Sequence, residues 1–200
     1  MNRLTVATTN SGKVIEIESA LGHLQGWSLE PLPGNIPSIE ETGASFIENA
    51  IQKAEHYSRF VNSLTLADDS GLCVPVLEGR PGVHSARYAE NPPARIRRLL
   101  REMENVTEDR RDAVFYCALA VAQSGKVIWT VQREVTGVIA HTPAGTEGFG
   151  YDPVFVLPKL NRTMAELSTE QKNRFSARGQ AVAELRKWLM RFGDGDRIPA

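Results

Sequence analysis

Two adjacent carboxylates, a hydroxyl and a glycine follow an apolar run at positions 64–67. The stretch is Asp68-Asp69-Ser70-Gly71, and such a run bounded by turn residues predicts a buried strand that ends in a tight loop. Ligands in α/β folds bind at the carboxyl ends of strands, and two acids there are costly to desolvate unless a cation or a proton offsets their charge. We therefore predict a divalent-metal site. The alternative is an Asx-turn or helix cap, in which Asp68 or Asp69 bonds local backbone.

A phosphate-binding loop is predicted near the start of the chain. The residues Thr8-Thr9-Asn10-Ser11-Gly12-Lys13 separate a strand pattern at 4–8 from a helical pattern that follows. N-cap residues are abundant there, and a helix N-terminus offers free backbone N–H groups and the positive end of the dipole. Lys13 adds a full positive charge. The loop is not a Walker loop, because it lacks the two-glycine spacing and the hydroxyl residue after the lysine. The alternative is a capped helix with a solvated lysine.

A second carboxylate stands just before another predicted helix. Ser45 and Glu48 have the spacing of a capping box, and Asn49 and Lys53, four residues apart, share a face of the helix that follows. Glu41 precedes that helix, where a carboxylate suits the dipole. It could also join the aspartate pair on a metal ion.

A glycine-rich loop with aromatic residues follows a predicted hairpin of strands at 113–121 and 126–139. Phe149 and Tyr151 lie in this loop, and an aromatic ring stacked on a base contributes roughly 1–3 kcal/mol. The alternative is a Gly-Pro turn whose aromatic rings fill the core. Further along, Lys172 and Arg178 flank the start of the last predicted helix and could hold phosphate and base.

The composition bounds the class of protein. Two hundred residues, 42% hydrophobic and 24% charged, suit one soluble domain or two small lobes sharing a core. We place this domain at 1–192, with an unstructured tail at 193–200. A net charge of −1 argues against nucleic-acid and membrane partners. Cys73 and Cys117 are predicted to be small buried hydrophobes. Without a signal peptide or a membrane-length apolar run, we expect a cytoplasmic protein.

Six stretches match one protein family in the same order along the chain. On them the chain resembles the inosine triphosphate pyrophosphatases, also called non-standard purine nucleoside triphosphate pyrophosphatases. The six stretches together, in this order, indicate the family far more specifically than any single stretch does. They are Thr8-Thr9-Asn10 with Lys13; Glu41-Thr42-Gly43 with Phe46, Glu48-Asn49-Ala50 and Lys53-Ala54; 66–72; Pro81-Gly82-Val83 with Ser85-Ala86-Arg87-Tyr88-Ala89; 148–153; and Leu167-Ser168 with Lys172-Asn173, Ser176 and Arg178.

The resemblance implies an α/β fold with two lobes, a long central mixed β-sheet flanked by helices, and an active site in the cleft between the lobes. It implies a homodimer that uses Mg²⁺ to hydrolyse ITP, dITP and XTP to the monophosphate and pyrophosphate. Glu41 and Asp69 are implied to hold the metal, and Asp69 is the candidate general base. The residues implied to hold the triphosphate are Thr8, Thr9, Asn10, Ser11, Gly12, Lys13, Lys53, Ser70 and Lys172; those implied to form the base pocket are Phe149, Gly150, Tyr151, Asp152 and Arg178.

One residue departs from the family pattern. The family usually has Ser-His-Arg where this chain has Ser176-Ala177-Arg178, so weaker discrimination or an altered substrate preference is a hypothesis. Two other functions are weighed beside the pyrophosphatase. One is a related metal-dependent pyrophosphatase that acts on other damaged nucleotides. The other is a nucleotide-binding module without catalysis, against which Glu41, Lys53, Asp68 and Asp69 argue together.

Overall fold

The computed structural model describes residues 1–193. Strands and helices follow one another along the chain in an order that mixes βαβ units with hairpins. The elements are β1 (Asn2–Val6), α1 (Ser11–Leu21), β2 (Trp27–Pro31), α2 (Phe46–Tyr57), β3 (Leu64–Cys73), α3 (Pro92–Glu102), β4 (Asp112–Gln123), β5 (Lys126–Ile139), β6 (Phe155–Leu157), β7 (Arg162–Thr163), α4 (Thr169–Phe175) and α5 (Ala177–Gly193).

The strands form one seven-stranded sheet in the order β2-β1-β3-β4-β5-β6-β7. Strand β1 pairs in parallel with β2 and β3, whereas β6 pairs antiparallel with β5 and β7. The sheet is therefore mixed and carries helices, which confirms the predicted α/β class.

The predicted loop at the paired aspartates is wrong, because β3 continues through both of them to Cys73. The turn-forming tendency of Asp-Asp-Ser-Gly is overridden by long-range partners of the two acids, which are described below. Strand β1 pairs with β3 only up to Leu66. Asp68 and Asp69 consequently lie just past the carboxyl end of β1, where ligands bind in parallel sheets.

The chain divides into two compact units. One unit contains Met1–Asp69, Cys117–Arg133 and the described residues from Arg178 onward; the other contains Ser70–Tyr116 and Glu134–Ala177. We call them the first and second units. The unit boundaries fall inside β3, β4 and β5, so each of these strands contributes residues to both.

Each unit has its own buried apolar residues. In the first unit, side chains of β1, α1, α2, β3 and α5 are fully or almost fully buried, among them Leu4, Ile17, Ala50, Leu66 and Leu185. In the second unit, one cluster joins α3, the end of β5 and the segment around β6; its members include Leu99, Met103, Ile139, Val154 and Phe155. Each core holds the elements that carry the polar side chains of its own unit.

Several local predictions are confirmed. Ser45 caps α2 by accepting a hydrogen bond from the Glu48 amide, as expected. The structure also shows Asn91 capping α3 ahead of two prolines. The turn between β4 and β5 places Ser124 and Gly125 at φ angles of 49° and 80°, as a tight hairpin requires. Between β3 and α3, the chain forms a short 3₁₀ turn at Gly82–Arg87.

Three expectations concern the chain as a whole. Both cysteines are free; Cys117 is buried, as predicted, whereas Cys73 is only half-buried. In the described part of the chain, no helix is long and apolar enough to cross a membrane. Of the predicted tail at 193–200, Gly193 is the last residue of α5, and 194–200 lies outside the described residues.

Candidate active site

One lysine of the first unit is shared by two carboxylates. Lys53 Nζ lies 2.6 Å from Glu41 Oε1 and 3.5 Å from Asp69 Oδ1. On the other side, Asn49 Nδ2 donates to Asp69 Oδ2 at 3.0 Å. Glu41, Asn49, Lys53 and Asp69 are called the carboxylate–lysine cluster below. The sequence prediction that Asn49 and Lys53 share a face of α2 is confirmed, since both side chains contact Asp69.

The electrostatics of this cluster follow from burial. Burial acts to lower the pKa of Lys53, but the nearby carboxylates of Asp68, Asp69 and Glu41 together raise it. Burial also raises the pKa of Asp69, and the Glu41 charge adds to that rise, while Lys53 and Lys13 act in the opposite direction. Asp69 is thus a more basic carboxylate than an exposed aspartate, which suits a group that must accept a proton.

The loop before α2 places Glu41 by folding back onto the helix. The Gly43 amide donates to Asn49 Oδ1 at 2.8 Å, and the Ala44 amide donates to Glu48 Oε2 at 2.7 Å. A side chain at Gly43 would put its Cβ 2.7 Å from the Asn49 oxygen, so only glycine fits here. Glu48 therefore bonds Ala44 rather than Ser45, a variant of the predicted capping box.

The neighbouring acid, Asp68, meets a different set of partners. Its Oδ2 lies 3.1 Å from Lys13 Nζ and 3.4 Å from Arg178 Nη2. Arg178 also donates from Nη1 to Glu16. Burial alone would raise the pKa of Asp68. The positive charges of Lys13, Arg178 and Lys53 instead lower it to about 2. Asp68, Lys13, Glu16 and Arg178 are called the charge network below, and Glu16 is a member that the sequence analysis missed.

The N-terminus of α1 is partly occupied by its own cap. Asn10 Oδ1 accepts hydrogen bonds from the amides of Gly12 at 3.0 Å and Lys13 at 3.3 Å. Thr8 Oγ1 accepts one from the Asn10 amide. Thr9 and Ser11 are exposed. The expectation of free N–H groups is therefore wrong for Gly12 and Lys13, because the asparagine side chain already satisfies both.

The second unit contains a buried carboxylate–lysine pair. Lys172 Nζ donates to Asp152 Oδ2, and both side chains are almost fully buried. The same oxygen accepts a hydrogen bond from the Phe149 amide at 2.6 Å. Lys172 Nζ also lies 5.0 Å from the centroid of the Phe149 ring, a cation–π distance. Asp152, Lys172 and the half-buried Phe149 are called the loop cluster below.

The two aromatic residues of the glycine-rich loop have different environments. The Tyr151 side chain is 3% exposed, packs in the apolar cluster of the second unit, and donates its hydroxyl to the Ser85 carbonyl at 3.0 Å. The interpretation of a core-filling ring therefore describes Tyr151, whereas Phe149 is only half-buried. Gly150, between them, has a φ of 64° with open space around it. Ser70 is half-buried in β3.

Glu41 and Asp69 are the carboxylates that suit a divalent cation. A single ammonium group lies within ion-pair distance of both, so the pair faces a common cation. Mg²⁺ commonly binds one or two carboxylates and takes its other ligands from water and phosphate. The described residues contain no group of three or more His, Cys, Asp or Glu side chains arranged around a metal. Two carboxylates are fewer ligands than a dedicated protein cage supplies, so a divalent cation held here would take its remaining ligands from other molecules.

Comparisons with known proteins identify the family of this chain. The model of the Ham1 family matches residues 4–188. A dITP/XTP pyrophosphatase of Geobacillus kaustophilus is 47% identical over 190 residues, which cover 92% of this chain and 93% of the relative. One of Bacillus subtilis is 44% identical, with coverage of 94% and 98%.

Solved structures show the same relation. The HAM1 protein of Coxiella burnetii has a TM-score of 0.85 at 38% identity and covers 96% of this chain and 100% of its own. The Ham1 protein of Staphylococcus aureus has a TM-score of 0.83 at 37% identity, with coverage of 97% and 100%. Matched in sequence and in fold over nearly its whole length, the chain belongs to the Ham1 family.

Proposed function

We propose that this protein is a nucleoside triphosphate pyrophosphatase that uses Mg²⁺ to hydrolyse ITP, dITP and XTP to the monophosphate and pyrophosphate, and so removes non-standard purines from the nucleotide pool. The observation that carries the proposal is the carboxylate–lysine cluster, in a family whose curated relatives are named dITP/XTP pyrophosphatases. The cluster combines a basic carboxylate, a second carboxylate and a fixed ammonium group.

In this proposal Glu41 and Asp69 hold Mg²⁺. The bound ion would supply positive charge against the triphosphate as negative charge develops on the leaving oxygen. Lys53 already stands beside both carboxylates and can shift to a phosphate oxygen, since its ammonium group sits on a flexible stem. The same charge that neutralises the acids in the free protein then neutralises substrate.

Asp69 is proposed as the general base. Burial raises its pKa, which increases its capacity to take a proton from an attacking water. Asn49 donates to one of its oxygens and so fixes the carboxylate plane. General-base assistance of this kind typically contributes about 10²–10⁴-fold to the rate.

The remaining groups are assigned to phosphate and base. Lys13, Lys172, Ser70 and the loop at 8–12 are proposed to bind the triphosphate. For the base, Phe149 is proposed to stack on the purine, with Gly150, Asp152 and the backbone of Tyr151 completing the pocket. Because the Tyr151 ring is buried, its contribution would come from main-chain atoms.

Arg178 is proposed to select the base. Hypoxanthine and xanthine carry a carbonyl oxygen at position six, whereas adenine carries an amino donor there. An arginine donor pairs with the carbonyl and is left unpaired by adenine, which a buried site rejects strongly. Guanine shares the carbonyl, so its rejection requires a group near the two-amino position.

A panel of ITP, dITP, XTP, GTP and ATP, assayed with and without Mg²⁺, tests the proposal. The expected result is release of pyrophosphate, not orthophosphate, from the first three, and loss of turnover in EDTA. Asp69→Asn is expected to bind ITP but to lose at least about 10²-fold in kcat. Asp112→Asn, which removes an exposed carboxylate, is the control. Normal turnover in Asp69→Asn would remove the base assignment, and orthophosphate as the product would remove the pyrophosphatase assignment.

A further inference from the structure

Asp68 has no assigned role in the proposed reaction, yet its carboxylate is completely buried. A single oxygen, Oδ2, lies within ion-pair distance of both Lys13 and Arg178. A buried carboxylate is costly unless it is paired, and removing one partner leaves the others uncompensated. This one side chain therefore links Lys13 of α1 to Arg178 of α5 within the first unit.

The neighbouring Asp69 cannot take over this role. Successive side chains of a strand point to opposite faces, and the partners follow that rule. Asp69 meets Asn49 and Lys53 of α2, whereas Asp68 meets Lys13 of α1 and Arg178 of α5. The two acids consequently serve two different sets of side chains.

The geometry fixes the arginine more firmly than the lysine. The guanidinium of Arg178 is held from two directions, by Asp68 of β3 and by Glu16 of α1. Its planar fork is therefore oriented by two carboxylates. Lys13 is a point charge on a flexible stem, and its ion pair with Asp68 determines where that charge lies. Without the Asp68 charge, Lys13 would lose the ion pair that positions it, whereas Arg178 would keep its ion pair with Glu16.

We propose that Asp68 is a positioning residue that sets the location of Lys13 for the triphosphate and, through Arg178, the discrimination between purine bases. The proposal deepens the proposed function and rests on it for the identity of the substrate. Asp68 itself touches neither phosphate nor base in this scheme. Its effect is transmitted by the two cations that share its oxygen.

A double-mutant cycle with Asp68→Asn and Lys13→Met tests the proposal. Removing an interaction made equally in the ground state and the transition state raises KM and leaves kcat unchanged. Asp68→Asn is therefore expected to raise the KM for ITP by about tenfold and to change kcat by less than about threefold. If Asp68 acts through Lys13, the double variant has a KM within about threefold of Lys13→Met alone. If the KM of the double variant instead rises by the product of the two single effects, the proposal is overturned.

The preference for ITP over ATP is a second readout that a purely structural role would not move. We expect the ratio of kcat/KM values for the two substrates to fall by about fivefold or more in Asp68→Asn, since Arg178 is less firmly oriented. Glu102→Gln is the matched control: it breaks the pairing of a carboxylate with Arg80 and Arg98 in the second unit. It is expected to lower stability and leave the ratio unchanged. An unchanged ratio in Asp68→Asn would also overturn the proposal.

Two further measurements keep the test decisive. Should Asp68→Asn fail to fold, Asp68→Glu is the second variant, because it keeps the charge and displaces it by one methylene. A smaller rise in KM with the same coupling to Lys13→Met is expected, and wild-type parameters in that variant would contradict the proposal.

The cycle is also run on the Kd for ITP by isothermal titration calorimetry in EDTA. Because binding needs no turnover, a wild-type protein that releases no pyrophosphate would refute the proposed function and still leave the positioning role measured.

Discussion

Asp68 and Asp69 are neighbours in the chain, yet folding acts on their charges in opposite directions. Asp68 is surrounded by Lys13, Arg178 and, at longer range, Lys53, so its pKa falls to about 2 despite its burial. For Asp69, burial exceeds the effect of Lys53 and raises the pKa. The difference arises from the alternation of side chains along β3. One acid is a stable anion, and the other is a carboxylate with a greater affinity for a proton or a cation.

Asparagine at either position keeps the shape and removes the charge. At pH 7 in EDTA, Asp68→Asn is expected to lower the free energy of unfolding by about 2 kcal/mol, the equivalent of moving its pKa from 3.8 to about 2. Asp69→Asn is expected not to lower it, because the folded state already disfavours that charge. Urea unfolding followed by circular dichroism measures both. Equal losses in the two variants would contradict the opposite environments.

A buried hydroxyl in β3 lacks a partner. Thr65 Oγ1 has no hydrogen bond to any described residue, and Thr65 is completely buried. Thr65→Val is nearly isosteric and should raise the free energy of unfolding by about 1 kcal/mol, because no desolvated hydroxyl remains. Thr5, its register partner on β1, bonds Ser63 at 2.7 Å. Thr5→Val is therefore the control and should be destabilising; two changes of the same sign would argue against the explanation.

Ala177, the residue that departs from the family pattern, is 2% exposed and begins α5 beside Arg178. If the missing histidine is a base-pocket donor, Ala177→His should increase the preference for ITP over GTP, since each good hydrogen bond to a base changes binding by about 1 kcal/mol or more. The comparison of kcat/KM for the two substrates, in wild type and variant, checks this. An unchanged preference would remove the hypothesis of altered specificity.

Among elements, the sequence predicted helices and the long hairpin well and β3 poorly. The caps at Ser45 and Asn91 are local signals, since the bonding groups lie within three residues of each other. The continuation of β3 through Asp68 and Asp69 depends on α1, α2 and α5, and the Glu16–Arg178 ion pair spans 162 positions. No window of sequence contains such partners, so turn-forming residues were assigned to a loop.

The glycine-rich loop offers a pair of variants that separate backbone strain from side-chain contact. Gly148 and Gly150 have φ angles of 73° and 64°, but a Cβ at Gly148 would lie 2.2 Å from Asp152 Oδ2 and 2.9 Å from Lys172 Nζ, whereas Gly150 has open space. Alanine at either position costs about 1–2 kcal/mol through the left-handed backbone. Only Gly148→Ala should also displace the Asp152–Lys172 pair.

We therefore expect Gly148→Ala to lose ITP turnover by about tenfold or more and Gly150→Ala to keep most of it, with comparable losses in urea stability. Steady-state kinetics with pyrophosphate detection distinguishes the two variants. Equal kinetic losses would mean that Gly150 itself approaches the ligand, and the displacement of Lys172 would then not be the cause. The sequence pattern alone could identify the loop as glycine-rich, but not which glycine is required.

For the molecule as a whole, the numbers of acidic and basic residues nearly balance, yet the pKa values of individual groups are strongly shifted. The chain has 24 acidic and 23 basic residues, and this composition predicts no strong electrostatic field around the whole molecule. It could not show that carboxylates such as Asp68 and Glu102 are paired with arginine in the folded chain. Such pairings determine how stability depends on pH, because only groups whose pKa differs between folded and unfolded states contribute.

Glu102 allows this linkage to be measured away from the candidate site. Burial alone would raise its pKa, but hydrogen bonds from Tyr88, Arg98 and Arg80 lower it below the ordinary value of 4.5. A lowered folded pKa contributes stability above the unfolded pKa, and this contribution is lost as pH falls through the folded value. The lowered pKa of Asp68 likewise contributes stability that is lost as pH falls below 3.8. The raised pKa of Asp69 has the opposite effect, because its contribution to stability is lost as pH rises.

Glu102→Gln should accordingly be less stable than wild type at pH 7, and the gap should close as pH falls below 4.5, where the wild-type carboxylate becomes protonated. Urea unfolding at pH 7, 5, 4 and 3 gives the gap directly. Glu104→Gln removes an exposed carboxylate and should stay within about 0.5 kcal/mol of wild type throughout. A gap that is constant with pH would show that Glu102 stabilises the fold by packing and not by its charge.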